Sequence, residues 1–560
     1  MAARPPPVAA PAPAVPAAGP SRVGTILTGL VACSWLFAFA PSPAALATVP
    51  GITGVLVITE RARRTRHAVG WVVLFAALAI GAGYAWIAPT IRTFGELDQR
   101  LGALAGPASW LALALYAVAA TVHLGLFAAL HRFTVRGGRR PHPMVTALLL
   151  VACETIPVRF LPWMAGYGAV DVSPLRQAAA WGGVPLVSFA LLCLCVPFHE
   201  LLRWAAGRPA RPRAALATLL FGVLVYAGGW IDASRIARLD DGTTPRTVRV
   251  GIVQAGFGAN QKREAERSRE SESRRGREAY EAGTRRAAAA GARLIVWPET
   301  ALVEGARVWD AEKDRPLPAP TVEAHLKRLG YGFLVDVGRD RALLLGGYAD
   351  EEVPGARGRD RTRRYNVAML REAGGADWSL YRKVKLMPFG ETMPGSSLVP
   401  SLADLLPQSF RMYAGTTDQP PIRWRESDLT VCAFVCYESI LPELVARLAG
   451  DGRPDLLVNL TNDSWYGDTW EPHQHLNFAR FRAVEHRAPM LRSTNTGISA
   501  IVSATGEVTH RLSWGSVGEI VADVPLVAHP RTLYARIATW VPWAAWLAAL
   551  VALLLAARRR

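Results

Sequence analysis

Residues 431–440, VCAFVCYESI, read as a short buried strand that runs straight into a helix. The stretch holds two cysteines four residues apart and an acid two residues after the second. Along a strand rising ~3.3 Å per residue, Cys432 and Cys436 lie ~13 Å apart. A disulfide needs Cα atoms within about 7 Å, so the two thiols do not bridge each other. Cys432 sits inside the strand and reads as packing. Cys436 ends the strand and enters the turn, where a helix N-terminus lowers a thiol pKa. Around this stretch the same kind of pattern repeats. Apolar runs at VRVGIVQA (248–255), RLIVWPE (293–299), ALLLGGYA (342–349), RYNVAML (364–370), DLLVNLTND (455–463) and GISAIVSATGEV (497–508) read as strands or strand-like segments. They alternate with helix-like stretches at 262–292 and 438–450. Such alternation predicts a layered α/β domain.

The rest of the chain is of another kind. The sequence is 51% hydrophobic yet carries a net charge of +18. Long apolar runs flanked by arginine clusters account for both, which is the pattern of an integral membrane protein rather than of a nucleic-acid binder. Residues 1–21, mostly Ala and Pro, read as a disordered tail without the form of a cleavable signal peptide. Apolar segments follow at 23–40, 43–59, 68–89, 106–130, 144–163, 178–198 and 214–230, and an eighth at 537–557. Two are weak: the second is interrupted by Pro50-Gly51, and the fifth contains Glu154 and Arg159. Basic clusters at 61–66, 131–140, 203–213 and 558–560 follow segments two, four, six and eight. The positive-inside rule puts all four on the cytoplasmic side, which requires both weak segments to cross. The expected organisation is therefore a tail (1–21), a seven-span membrane domain (22–232), an extracytoplasmic α/β domain (233–532), and an eighth span with a basic cytoplasmic tail (533–560).

Three polar groups stand where apolar strands or motifs end. Glu299 closes LIVWPE, Cys436 closes LTVCAFVC, and Lys383 lies in YRKVKLMPFGE (381–391). Ligands collect at the carboxyl ends of strands in α/β folds. A thiol, a carboxylate and an ammonium converging there support covalent acyl transfer: nucleophile, base and oxyanion partner. Singly, each residue reads more simply as a cap, a solvated charge or core packing. The spacing of the cysteines and histidines offers no metal site, and no cofactor is expected.

Taken together, these segments resemble the nitrilase superfamily, whose members carry a Glu-Lys-Cys triad. VWPET (296–300) is similar to its glutamate motif, YRKVKLMPFGE to its lysine motif and CYES (436–439) to its cysteine motif. With NLTNDSWYG (459–467), HQHLNFARFRAVEHR (473–487) and RSTNTGISAIVSATG (492–506), the resemblance narrows to the membrane-bound apolipoprotein N-acyltransferase branch. It implies a polytopic helical membrane domain of about eight spans with an inserted α-β-β-α sandwich. By position, Glu299 is then the general base, Lys383 the oxyanion partner and Cys436 the nucleophile. Glu391, Glu438 and Tyr437 match supporting residues, and Trp465 an aromatic at the mouth of the site.

The reaction implied has two steps. Cys436 takes an acyl chain from the sn-1 ester of a phospholipid, and the amine of a diacylglyceryl-cysteine on an apolipoprotein then receives it. The partners implied are the phospholipid donor, the apolipoprotein acceptor and the bilayer of a bacterial inner membrane, with a monomeric enzyme and its catalytic domain on the periplasmic side. A membrane-tethered amidohydrolase with water as acceptor is the alternative. Loops 391–413 and 465–470 are candidate lids that shield a thioester from water. The segment after the first strand, VQAGFGANQKREAER (253–267), lacks the tryptophan that the family often has there, and Met387 stands where an aliphatic residue is common.

Charge parity yields a direct test. A reporter active only in the periplasm should be active when fused near residue 240 and silent near residue 208. Activity at both places would mean that the seventh segment does not cross.

Overall fold

The computed structural model describes residues 22–558 except 95–100, 136–139, 157–158, 241–245, 258–270, 307–308, 311–314, 353–361, 376–377, 397, 400, 402–411 and 528–529. The Ala/Pro tail, the last two arginines and most of the expected 391–413 lid thus lie outside the described residues.

The α/β domain is built on two sheets. β1 (Thr247–Gln254), β2 (Leu294–Val296) and β3 (Leu302–Ala306) precede a short pair, β4 (Trp309–Asp310) and β5 (Arg315–Pro316). β6 (Ala342–Glu352), β7 (Thr362–Arg371) and β8 (Trp378–Arg382) complete the first half. The second half comprises β9 (Ile422–Trp424), β10 (Leu429–Val435), β11 (Leu456–Thr461), β12 (Met490–Thr494), β13 (Ser499–Val502), β14 (Val508–Leu512) and β15 (Gly518–Pro525). One sheet runs β15-β1-β2-β6-β7-β8, with β3 also on β6; the other runs β14-β13-β12-β11-β10-β9.

The sheets share one core. Val250, Leu294, Leu344 and Ala368 from the first pack with Val431, Leu457 and Met490 from the second. The alternate residues Ile295, Leu343, Leu345 and Met369 pack on the other side of the first sheet, in a cluster with Tyr280 of helix Ser271–Ala289. Side chains alternate between faces of a strand, and here both faces are covered. That is why the runs LIV and ALLL are apolar without a break. β10, β11 and β12 are mutually parallel, so their carboxyl ends, with Cys436, Asn462 and Asn495 just beyond, lie at one edge. β2 is parallel to β1 and β6 and ends just before Glu299. Glycine is needed where β6 passes the turn after β2: a Cβ on Gly346 would stand 2.1 Å from the Pro298 carbonyl oxygen.

The apolar segments form helices, with differences from the sequence reading. By length and composition, Thr65–Gly83, Gly102–Val135, Ala179–Ala205 and Pro212–Arg238 are able to cross a membrane. Shorter apolar helices cover Val23–Phe39, Pro143–Glu154 and Val541–Leu555. Pro50-Gly51 does not interrupt segment two; it falls in the first turn of helix Thr48–Arg61, where proline is tolerated. Segment five is not one continuous helix. It is helical over Pro143–Glu154, and its described residues from Thr155 to Trp163 are not helical. Helix Ala179–Ala205 is kinked at Gly182-Gly183.

Between bundle and sheets lies helix Glu471–His486, buried at every residue but His473. Gln474 donates to the carbonyls of Phe39 (2.8 Å) and Gly83 (2.9 Å) and accepts from the Trp86 indole (2.9 Å). Arg480 pairs with Asp171 at 2.6 Å, and Arg487 with Asp232.

Gly346→Ala should destabilise the α/β domain by about 1–3 kcal/mol, because the clash is with backbone and not with a side chain that can rotate. Gly106→Ala, whose Cβ would meet nothing within 4 Å, is the control. Equal thermal midpoints for the two variants would contradict this account.

Candidate active site

Cys436 follows β10 directly and adopts φ +50°. A left-handed conformation at a non-glycine residue costs about 1–3 kcal/mol and persists only where the surroundings enforce it. The brace is Glu438. Its carboxylate accepts hydrogen bonds from the backbone N–H of Val435 (2.7 Å), Val384 (2.7 Å) and Lys385 (2.9 Å), and from the Tyr381 hydroxyl (2.8 Å). One fully buried acid thus ties the cysteine turn to the segment bearing Lys383. Tyr437 points elsewhere. Its hydroxyl donates to the Phe160 carbonyl at 2.6 Å, and the two rings stack.

Lys383 is 1% exposed and lies between two carboxylates. Its Nζ is 3.2 Å from Glu299 Oε1 and 2.8 Å from Glu391 Oε2. Asn366, on β7, holds the same two acids together: its Nδ2 donates to Glu299 (2.7 Å) and to Glu391 (3.0 Å). Asn495 fixes the Glu299 backbone by donating to its carbonyl at 2.8 Å. Glu299, Lys383, Glu391, Cys436 and Trp465 line one cleft of about 490 Å³. The structure therefore brings together five of the seven residues singled out from the sequence. Glu438 and Tyr437 instead hold the frame.

The sequence reading had not assigned a role to the layer beneath the nucleophile. His475 Nε2 lies 3.2 Å from the Cys436 carbonyl and 2.8 Å from Ser439 Oγ, and its Nδ1 lies 3.0 Å from Asp463. Arg492 closes the chain by donating to Asp463 at 2.7 Å. The signal for it was two buried polar motifs, NLTNDSWYG and HQHLNFARFRAVEHR. Among the described residues, two clusters have donor types that suit a cation: Asp463/Glu471/His475 and Glu60/His199/Glu200. In both, arginine already pairs with carboxylates: Arg492 with Asp463, and Arg140 with Glu60 and Glu200; Glu471 instead lies 3.5 Å from His475. They are internal ion-pair networks.

Electrostatics corrects one sequence expectation. The Cys436 thiol is not lowered by its turn. Burial pushes it well above the ordinary range and the Glu299 carboxylate adds to this, with Lys383 opposing. Cys436 opens a five-residue 3-10 turn, Cys436–Ile440, and the α-helix starts only at Pro442, so little helix dipole is available at the thiol. Burial disfavours charge on Lys383 too, but Glu299 and Glu391 overcome it and raise its pKa well above the usual lysine value. Burial raises Cys432 to about 12, as expected for a thiol within the shared core. Burial would also raise Asp463, but Arg492 and His475 hold it at about 2. The resting site is thus a neutral thiol facing an ammonium and carboxylates. That arrangement suits a nucleophile deprotonated as it attacks.

Residues 249–529 match the sequence model of the carbon-nitrogen hydrolase family, and residues 31–197 that of the apolipoprotein N-acyltransferase N-terminal domain. The apolipoprotein N-acyltransferase of Bdellovibrio bacteriovorus is 30% identical over 493 residues, covering 81% of this chain and 80% of that one. That of Pseudomonas syringae pv. tomato is 30% identical over 521 residues, covering 90% of each. Among solved structures, an amidase from Nesterenkonia sp. is 21% identical with a TM-score of 0.33, covering 51% of this chain and 93% of that one.

The thiol's state is measurable. Without acyl donor, alkylation of Cys436 by iodoacetamide should be slow near neutral pH and should climb from about pH 7 to pH 9 without a plateau. Lys383→Met should slow it further, since the lysine charge is what favours thiolate. A plateau below about pH 8 would show a lowered thiol pKa and refute this electrostatic reading.

Proposed function

The chain belongs to the apolipoprotein N-acyltransferase family and is a membrane acyltransferase, and from that premise we propose that Cys436 carries the acyl group as a thioester between a phospholipid donor and an apolipoprotein acceptor. The observation that carries this reading is the Lys383 ammonium clamped between Glu299 and Glu391 in the cleft that holds the strand-end thiol.

In the first step Cys436 Sγ attacks the sn-1 ester carbonyl while Glu299 takes the thiol proton. Negative charge develops on the carbonyl oxygen, and Lys383 stabilises it. The C–O bond breaks, Glu299 returns the proton to the departing oxygen, and a lysophospholipid leaves. In the second step the α-amine of the diacylglyceryl-cysteine attacks the thioester. Glu299 accepts the amine proton, Lys383 again meets the oxyanion, and collapse releases the amide and restores the thiol. Glu391 and Asn366 act by position: they hold the ammonium and the base in register. Trp465 borders the donor, and the loops at 391–413 and 465–470 exclude water. His475, through the Cys436 carbonyl, and Glu438, through the backbone, keep the nucleophile in its strained conformation.

Membrane placement follows the same logic. Donor and acceptor are both lipids, so the cleft belongs at headgroup depth. A second cavity of about 410 Å³ contains Cys436 together with Tyr84, Trp86 and Leu161 of the membrane part, which supports access from the bilayer. We read the chain as crossing the bacterial inner membrane eight times, as a monomer, with the catalytic domain periplasmic. The arginine clusters after alternate segments support that orientation.

Intact-protein mass over time is the test. With phospholipid alone, wild type should accumulate an acyl adduct on Cys436, and a diacylglyceryl-cysteine peptide should discharge it as the amide. Cys436→Ala and Glu299→Gln should form no adduct, while Cys432→Ala should form it normally. Lys383→Ala should slow both steps on the order of a hundredfold or more, the usual consequence of removing one oxyanion donor. Fatty acid released without acceptor, at a rate the peptide leaves unchanged, would indicate a hydrolase with water as acceptor.

A further inference from the structure

Arg159 remains unexplained by the reaction above. It lies in the irregular stretch that ends segment five. Its guanidinium donates to the Trp163 carbonyl at 2.6 Å and to the Glu154 carbonyl, both neutral acceptors, and its Nε is buried without a partner. No described carboxylate lies within 4 Å of it. A guanidinium held among apolar helices, with the Glu154 carboxylate acting on it only from beyond ion-pair distance, is costly and marks a functional position.

Arg159 stands at the polar end of a cavity of about 620 Å³ inside the bundle. Among the described residues, three further side chains there have buried polar atoms without partners: the Tyr84 hydroxyl, the His123 ring and the Trp35 indole N–H. The rest of the wall includes Val55, Ile58, Val72 and Phe75. An apolar cavity with a cation and unpartnered hydrogen-bonding groups at one end has the complementarity of an amphiphile, with a chain for the apolar wall and an anionic group for the polar end. Tyr84 and Leu161 also line the cavity that contains Cys436, so this polar end adjoins the nucleophile.

We propose that the intrahelical cavity is a binding site for a single-chain anionic amphiphile, with its acyl chain between the helices and its phosphate or carboxylate on Arg159, Tyr84 and His123. The lysophospholipid released in the first half-reaction has this chemistry. That assignment rests on the donor proposed above, whereas the binding itself does not. A long-chain fatty carboxylate shares the same features. Held there, the product lies beside the thioester and competes with a fresh donor for the same cation.

The test uses the full chain in phosphatidylcholine nanodiscs and three probes of equal chain length, each with a photoreactive group at the chain end: a lysophosphatidylglycerol, a fatty acid and a neutral monoacylglycerol. The lysophosphatidylglycerol should label peptides from 48–61 and 65–83 about tenfold or more above the neutral probe, the order expected of one charge-assisted hydrogen bond. Arg159→Gln should erase that preference and Arg159→Lys should keep part of it. Tyr84→Phe, which removes only a hydroxyl, should weaken it and serves if Arg159→Gln does not fold. Labelling by the fatty acid alone would overturn the lysophospholipid assignment. Equal labelling by anionic and neutral probes, or an unchanged preference in Arg159→Gln and Tyr84→Phe, would overturn the site. Acylation of Cys436, read separately by intact mass, reports on the proposed reaction, so the two ideas fail independently.

Discussion

Everything in this molecule depends on burying helix Glu471–His486, which is polar in sequence yet enclosed on nearly every side. Taking amides, guanidinium groups and carboxylates out of water is unfavourable unless each finds a partner. The partners are what join the two halves. Gln474 is satisfied by Phe39, Gly83 and Trp86 of the membrane part. On the other side, His475 reaches Asp463 and the carbonyl of Cys436. The helix therefore works as a shared wall. Its outer polar groups dock the bundle, and its inner ones hold the nucleophile's backbone.

A second consequence of burial concerns the clustered charges. Lys383 and Glu299, buried, and Glu391, partly buried, form a triplet with one positive and two negative members. Such a set is weak as a stabilising device but strong as a positioning one, because removing any member leaves the others uncompensated. Asn366 serves both acids at once, so the spacing of the two carboxylates that hold Lys383 is fixed by a single amide. The strained turn at Cys436 is maintained in the same way, by Glu438 gathering backbone N–H groups from β10 and from the chain after Lys383.

Much of this was legible in the sequence, for identifiable reasons. Glu299 and Cys436 stand at the ends of unbroken apolar strands, where a polar residue is conspicuous, and Lys383 and Glu391 share one short motif. β8, β12 and β15 were not separated from their surroundings, because their apolar runs are short or broken by charge. Helix Glu471–His486 gave no amphipathic period, since it has no solvent face to alternate with. Asn366 was hidden at the start of an apolar run buried on both faces, where one amide does not stand out. Segment five counts as a span in the sequence because the parity of the arginine clusters requires it to cross, and charge parity does not report whether a crossing segment is one continuous helix. The thiol's ionisation was misjudged in direction: position in a turn is visible in sequence, but depth of burial is not, and depth dominates.

The hydrogen bond from Tyr437 to the Phe160 carbonyl links the residue beside the nucleophile to the stretch that follows the short helix Pro143–Glu154. The Cys436 sulfur is thereby tied to the bundle rather than hanging from a hinge. On the proposed reaction, its height relative to the lipid esters is then governed by how the bundle's hydrophobic length matches the surrounding bilayer. Membrane thickness becomes a variable of the chemistry: a thinner or thicker sheet of lipid would shift the ester plane past a thiol that does not follow it.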